Sequence, residues 1–220
     1  MRLQVRTVIY FYIFICVVLL VFNLLYIFRA GSIRRQHQRR VRRWERYLEN
    51  FGHGTSEWRK KRMVRKLRKI QELMAFYEAM ENWNRTEENG AETFFRENHA
   101  AILKIAEEYK GKAAMEQAFF AYVIAAFHPK MGEKRYALME QLLGYLDHST
   151  VFSRENVLNA LYALGNSQAV EHAFILMSQH GWYHDPRLLA DGLARFQGDK
   201  ERLSVRLWEI CSSLPECFQV

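Results

Sequence analysis

Three histidines near the C-terminal end of the sequence are the residues whose types and spacing come closest to a metal site. His180 and His184 flank a Gly-Trp-Tyr segment, Asp185 follows, and His172 lies two helical turns before His180. A zinc site needs three or four such ligands to converge. The chain would have to fold back at Gly181 for that, so we interpret these histidines as surface or helix-capping residues and predict no metal site.

Catalytic motifs are missing from the sequence. It contains no glycine-rich phosphate loop, no G-x-S-x-G, no H-E-x-x-H and no paired C-x-x-C. The acidic pairs Glu87-Glu88 and Glu107-Glu108 are adjacent, so on a helix their side chains diverge by about 100°. We therefore predict a protein that is not an enzyme and needs no cofactor.

Basic residues are concentrated in the first third of the sequence. Residues 1–69 hold 18 of the 32 Lys and Arg residues but only three of the 24 acidic residues, which leaves residues 70–220 with a net charge of −7. Two basic groups stand out, and a basic segment next to a membrane attracts anionic lipid headgroups. The residues predicted to contact those headgroups are Arg29, Arg34, Arg35, Arg39, Arg40, Arg42, Arg43, Arg46, Arg59, Lys60, Lys61 and Arg62.

Other interpretations of the two basic groups stay open. The first group could serve only to fix membrane topology, and the second could be a solvated helix face. Trp44 and Trp58 lie near the basic residues, and basic side chains with aromatic neighbours also bind nucleic acid. A juxtamembrane basic segment accounts for the same residues without another partner, and the acidic remainder of the chain disfavours nucleic acid.

Residues 7–28 are predicted to cross a membrane. They include no charged residue, and 16 of the 22 are Leu, Ile, Val or Phe. As a helix they would be about 33 Å long, against a hydrocarbon thickness of about 30 Å. A cleaved signal peptide has a shorter apolar core and a small-residue cleavage site, which Phe28-Arg29-Ala30 matches poorly.

The arginines on either side of the span predict its orientation. Arg2 and Arg6 precede it, whereas eight arginines follow within 18 residues. Basic residues near a span favour the cytoplasmic side. We therefore expect a single-pass protein of the plasma (inner) membrane, with its N-terminus outside and its C-terminal domain in the cytoplasm. The Asn84 sequon would then stay unmodified, and the cysteines would stay reduced.

Three segments are predicted along the chain. Residues 1–28 form the N-terminal segment and span, 29–55 a basic juxtamembrane stalk, and 56–220 a helical-repeat domain with its clearest repeats in 153–214. The stalk is expected to resume as a helix after Gly31 and Ser32 and to end at Gly52-His53-Gly54. Its apolar stripe is Ile33, Val41, Trp44, Leu48 and Phe51, which recur at helical spacing.

From residue 56 onward, apolar residues recur at spacings of three and four, which predicts helices throughout. One helix is expected from the second basic group to Met80, followed by helices over 91–109, 112–128, 132–147, 154–164 and 168–180. Ser153, Ser167, Asp185 and Asp199 are possible N-caps of the last four helices, and Pro215 a stop. The expected buried face of 112–128 is Met115, Phe119, Tyr122 and Ala126.

An internal repeat places the domain among known architectures. Leu161 and Leu164 recur 32 residues later as Leu193 and Phe196, each pair followed by a Gly-Asn or Gly-Asp turn. We expect all four side chains to be buried, with residues 153–164 and 186–197 as roughly parallel first helices of adjacent repeats. The pattern Ala-Leu-x-x-Leu-Gly-Asn, followed by Ser-Gln-Ala-Val, resembles HEAT-type repeats over roughly residues 112–214. The layout is similar to that of bacterial membrane-anchored HEAT-repeat proteins. The resemblance implies an all-α fold whose stacked helix pairs form a right-handed α-solenoid, an architecture used mainly for interaction scaffolds.

Two functions follow as hypotheses. The first is a membrane-anchored scaffold whose cytoplasmic domain binds another protein near the membrane. The second is an accessory or regulatory subunit of a membrane enzyme or transporter complex, associating through the span. The second needs a small or polar stripe within residues 7–28, where only Cys16 and Asn23 share a face. We therefore favour the first.

Overall fold

A computed structural model describes residues 2–51, 56–87, 89–127, 135–147, 150–182 and 185–211, and side chains within them from residue 10 to residue 210. These residues form eleven helices and no strand, so the predicted all-α class is confirmed for the described chain. The helices are α1 (Arg2–Glu49), α2 (Glu57–Leu67), α3 (Ile70–Thr86), α4 (Gly90–Glu97), α5 (His99–Lys110), α6 (Ala114–Phe127), α7 (Arg135–Leu143), α8 (Val151–Leu164), α9 (Ser167–Gln179), α10 (Pro186–Ala194) and α11 (Lys200–Cys211).

Helix α1 runs without a break for 48 residues. The predicted interruption at Gly31 and Ser32 is therefore wrong. A glycine inside a helix costs only about 1 kcal/mol, and the long flanking helical segments outweigh that cost. Of the described helices, α1 alone is long and apolar enough to cross a membrane, and none of its apolar stretch is buried against the protein.

The C-terminal half of α1 belongs to the hydrophobic core. Val41, Trp44 and Leu48 are buried, as is Phe51 just beyond the helix end. Helix α1 packs against α3, where the Trp44 indole N–H donates to the Glu72 carboxylate at 3.0 Å. The apolar stripe predicted here is confirmed from Val41 onward, whereas Ile33 is exposed. The segment predicted as a stalk thus supplies the first helix of the packed domain.

Two helices predicted as continuous are each broken. The chain bends between α2 and α3, where Lys69 has extended backbone angles, and between α4 and α5 at Asn98. The first break leaves the Leu67 carbonyl without a helical donor, and the hydroxyl of Tyr109 donates to it at 2.9 Å. At the second, the Asn98 side-chain amide donates to the Phe94 carbonyl at 2.9 Å. Side-chain donors of this kind help to satisfy the carbonyls at helix ends, and the Phe94 carbonyl also accepts from the Asn98 backbone N–H at 3.0 Å.

The helices contact one another in two rows. In one row α1 packs on α3, α3 on α6, α6 on α8 and α8 on α10; in the other α2 packs on α5, α5 on α7, α7 on α9 and α9 on α11. Contacts of α2 with α3, α5 with α6, α7 with α8 and α8 with α9 join the rows.

The repeated leucines lie mostly in the core. Leu161, Leu164 and Phe196 are buried, as predicted, but Leu193 is only half-buried. Leu193 lies near the end of the short helix α10, which stops at Ala194 although it was expected to extend to about residue 197. Fewer neighbouring side chains therefore surround it than surround Leu161.

Two of the four predicted N-caps are confirmed, and the other two caps lie one and three residues earlier than predicted. Asp185 accepts from the Arg187 backbone N–H at 2.8 Å, and Asp199 from that of Arg202 at 3.0 Å. The N-cap of α8 is Thr150, with Ser153 as its reciprocal partner in a capping box. Asn166 rather than Ser167 caps α9. Pro215 lies outside the described residues.

Candidate functional site

The first group of predicted lipid contacts is spread along an unbroken helix. At about 1.5 Å per residue, Arg29 adjoins the apolar segment, Arg34 and Arg35 lie about 10 Å beyond Phe28, and Arg46 about 27 Å beyond it. The headgroup layer is only about 5–8 Å thick. A helix standing along the membrane normal therefore brings Arg29, Arg34 and Arg35 near the headgroups and carries the later arginines away from them.

Two of the later arginines of α1, Arg40 and Arg43, contact α3 instead, whereas Arg39, Arg42 and Arg46 are exposed. The Glu72 carboxylate lies 3.4 Å from Arg40 and 3.9 Å from Arg43, so both ion pairs link α1 to α3. Arg46 donates to the Arg42 carbonyl at 3.3 Å within the same helix. Partly exposed ion pairs such as these stabilise a fold by only about 0–1 kcal/mol each. Their main effect is therefore to orient the arginine side chains, and they add little to the stability of the domain.

Helix α2 runs back along α1 and brings the two basic groups together. The hydroxyl of Tyr47 lies 3.7 Å from the Met63 sulfur, and Lys66 lies over the ring of Trp44 at 5.6 Å. Because the chain order of these contacts is reversed between the helices, α2 is antiparallel to the end of α1. Lys60, by contrast, pairs with Glu57 at 3.4 Å.

A cavity of about 230 Å³, here called the basic cavity, lies between α1 and α2. Three of the predicted residues meet in it, together with Lys66, which was not in the predicted set. Among the described residues, no acidic side chain lines it. Its lining residues are Arg43, Trp44, Tyr47, Trp58, Arg59, Arg62, Met63 and Lys66.

Electrostatic crowding marks the basic cavity. Burial lowers the pKa of Lys66, and the neighbouring Arg43 and Arg62 lower it further, while Glu72 opposes the shift. The Arg62 guanidinium lies over the ring of Trp58 at 5.2 Å. Trp58 is itself largely exposed. The cavity thus combines several cations with aromatic faces that attract cations and ring-shaped groups.

A second surface, here called the apolar groove, crosses α3, α6 and α8. It has a volume of about 450 Å³. Met74, Met115, Tyr122 and Phe152 in its lining are exposed large apolar residues, and Glu116 is its one charged residue among those described. The remaining lining residues are Ile70, Ala118, Phe119 and Asn156.

The groove overturns the predicted buried face of α6. Met115, Tyr122 and Ala126 are exposed and Phe119 is only partly buried, so that prediction is wrong. The buried face is instead Gln117, Ala118, Phe120, Ala121, Val123 and Ile124. Helix α6 is apolar on all sides, so spacing along the sequence could not show which side meets α8. Tyr136 of α7 is likewise exposed.

An aromatic cluster continues the groove along α6. The rings of Tyr77 and Tyr122 lie 5.3 Å apart, those of Tyr77 and Phe119 6.1 Å apart, and those of Tyr77 and Phe127 5.6 Å apart. The hydroxyls of Tyr77 and Tyr122 are 3.1 Å apart. This hydrogen bond, with burial, raises the pKa of Tyr77 to about 12. The Tyr77 phenol is therefore neutral at physiological pH.

The histidine cluster considered as a metal site is only partly described. His180 stacks on Trp182 with ring centroids 4.4 Å apart, and Arg154 lies over the same indole ring at 4.8 Å. His184 lies outside the described residues. His180 thus takes part in an aromatic stack at the end of α9.

Comparison of the chain with protein-family models, curated proteins and solved structures gives no match. The surfaces of the chain itself are therefore the basis for proposing a function. Two are distinctive: the basic cavity between α1 and α2, and the apolar groove across α3, α6 and α8.

Proposed function

We propose that this protein is a membrane-anchored, non-enzymatic scaffold whose helical domain binds a segment of another membrane protein in the apolar groove. The observation that carries the proposal is the exposure of Met115 at 60% and Phe152 at 54% beside a well-packed core. Contiguous exposed apolar surface favours a binding site. Methionine side chains are flexible and polarisable, which suits them to contact another protein.

The proposed architecture is a right-handed, HEAT-like α-solenoid. Contacts in two rows, each helix packing on the next of its row, are expected of stacked helix pairs. The Leu161 and Leu193 recurrence supports the same arrangement. Solenoids of this kind present long surfaces formed by one row of helices, and the apolar groove runs across three successive helices of a single row.

The proposed occupant is a basic amphipathic helix from the cytoplasmic juxtamembrane part of a neighbouring membrane protein. Residues 70–220, which include the groove, carry a net charge of −7. Segments next to a span on the cytoplasmic side are rich in Lys and Arg, so their charge is complementary to this domain. An apolar helix face in such a groove is a recurrent mode of peptide recognition.

The anchor and its orientation belong to the same proposal. Residues 7–28 are longer than the apolar core of a signal peptide, and Phe28-Arg29-Ala30 matches a small-residue cleavage site poorly. We therefore take residues 7–28 as a retained span with the domain in the cytoplasm of a plasma (inner) membrane, and Arg29, Arg34 and Arg35 as contacts to anionic headgroups. Association through the span has less support, because the Asn23 amide donates to Leu19 of its own helix at 2.9 Å.

Groove variants test the proposal. Met115→Lys and Phe152→Lys each place a cation in the apolar groove on different helices, and we expect each to reduce partner recovery after crosslinking in membranes at least about tenfold. The measurement is quantitative mass spectrometry of the full chain purified from crosslinked membranes.

The matched control is Leu188→Lys. Leu188 is an exposed apolar residue of α10 away from the groove, and this change should leave recovery unaltered. Equal thermal unfolding of the three variants would show that folding is intact. Undiminished recovery with both groove variants would contradict the proposal.

A further inference from the structure

We propose that the basic cavity between α1 and α2 binds a phosphate monoester, held by Arg43, Arg59, Arg62 and Lys66. This site is separate from the apolar groove and does not depend on the scaffold function. Four cationic residues line the cavity, and among the described residues no acidic side chain does. Outside the lining, the Glu72 carboxylate lies 3.9 Å from Arg43 and interacts with Lys66, so it offsets the four positive charges only in part.

Three cations near the cavity are each paired with an acidic residue. Arg68 pairs with Glu108, Lys60 with Glu57 and Arg40 with Glu72. Of the four cavity cations, Arg43 has a long contact of 3.9 Å to Glu72, and the described structure shows no ion pair for Arg59, Arg62 or Lys66. Three of the four cavity cations therefore have no acidic ion-pair partner among the described residues.

The residue types in the cavity favour phosphate. A guanidinium presents paired N–H donors that match two oxygens of one phosphate group, and lysine adds a compact charge. Burial lowers the pKa of Lys66 most, and the repulsion from Arg43 and Arg62 that lowers it further is what a bound dianion would relieve. A volume of about 230 Å³ is several times the ~30 Å³ share of a water molecule. The cavity can thus hold the phosphate and part of the group that carries it.

The carrying group would lie against the aromatic wall. Trp58 is 64% exposed at the cavity, and Tyr47 and Met63 form part of the lining. The phosphate can come from a lipid headgroup or a soluble metabolite. An upright α1 places Arg43 about 22 Å beyond Phe28, outside a headgroup layer of about 5–8 Å, so a lipid source requires a strongly inclined helix.

The test uses the full chain in phosphatidylcholine nanodiscs, titrated with glycerol 3-phosphate in a calorimeter. We expect saturable binding at one site per chain. Arg62→Gln or Lys66→Gln should each weaken it about tenfold, as expected for loss of one charge-assisted contact. Arg65→Gln removes the same charge from the same helix, but Arg65 lines a different cleft, so this control should bind like the parent.

A second arm separates the two phosphate sources. Nanodiscs containing phosphatidic acid present the same phosphate on a lipid. If the lipid occupies the cavity, the parent chain should lose its binding of glycerol 3-phosphate in these nanodiscs, and this loss should depend on Arg62. Retained binding of glycerol 3-phosphate would assign the cavity to the soluble ligand. Two results would overturn the proposal: no saturable binding of either phosphate that depends on Arg62, or equal weakening by Arg62→Gln and Arg65→Gln.

Discussion

Leu161→Ala is expected to lower the free energy of unfolding by about 2–5 kcal/mol, the range for removing a buried leucine side chain from a core that cannot fully collapse around the cavity. Leu161 is 0% exposed and belongs to α8, which packs against α6, α7, α9 and α10. The measurement is thermal or urea unfolding of the full chain in detergent, followed by circular dichroism.

Two comparisons sharpen this expectation. Leu188→Ala removes the same atoms from a side chain that is 43% exposed, and should change stability by no more than about 0.5 kcal/mol. Leu193→Ala should fall between the two because Leu193 is half-buried, although the repeat alone predicts that both leucines are buried. A Leu161→Ala protein as stable as Leu188→Ala would show that α8 is not in the core.

Gly198→Ala is expected to destabilise the C-terminal helices by about 3 kcal/mol, the upper end of the usual cost of overpacking. A Cβ atom at residue 198 would lie 2.3 Å from the Gly165 carbonyl oxygen and 2.6 Å from the Phe196 ring. The oxygen belongs to the backbone at the end of α8, where Gly165 has a φ of +67°. Since neither chain segment can retreat freely, the turn after α10 would have to separate from α8.

Gly111→Ala is the control for Gly198→Ala. A Cβ at residue 111 would meet no atom within 4 Å, and Gly111 has a φ of −88° that alanine also adopts. That change should be neutral, or stabilising by about 0.4–1 kcal/mol through the unfolded chain. Unfolding temperatures are compared for the two variants and the parent. Matching temperatures for Gly198→Ala and the parent would contradict the close approach of residues 165 and 198.

Local signals explain which parts of the fold could be predicted. Asp185 and Asp199 were identified as N-caps because an Asp before a helical pattern signals a helix start by itself. The breaks at Lys69 and Asn98 carry no Gly or Pro signal. At the first of them the Leu67 carbonyl accepts from Tyr109, a residue far along the chain. Helix α1 is uninterrupted because the long helical segments on both sides of Gly31 outweigh the free-energy cost of one glycine.

The two surfaces depended on tertiary structure to different degrees. The sequence identified Arg43, Arg59 and Arg62 as functional candidates, since charge is visible without a fold. Their convergence with Lys66 required the antiparallel course of α2 along α1. The apolar groove was missed because the Met115 side of α6 is as apolar as its buried side. The signal that could have indicated the groove is that apolar residues surround the short helix α6 on all sides. Such a helix can pack one face in the core and leave a second face to be covered by a partner.

Photocrosslinking at residue 115 in native membranes tests the scaffold proposal most directly. A photoreactive amino acid replaces Met115 in the groove, and in a parallel chain it replaces the exposed Leu188 of α10. We predict a discrete adduct at residue 115 whose crosslinked peptide is a basic juxtamembrane segment of another membrane protein, with no such adduct at residue 188. No adduct at residue 115, or the same adducts at both positions, would contradict the account.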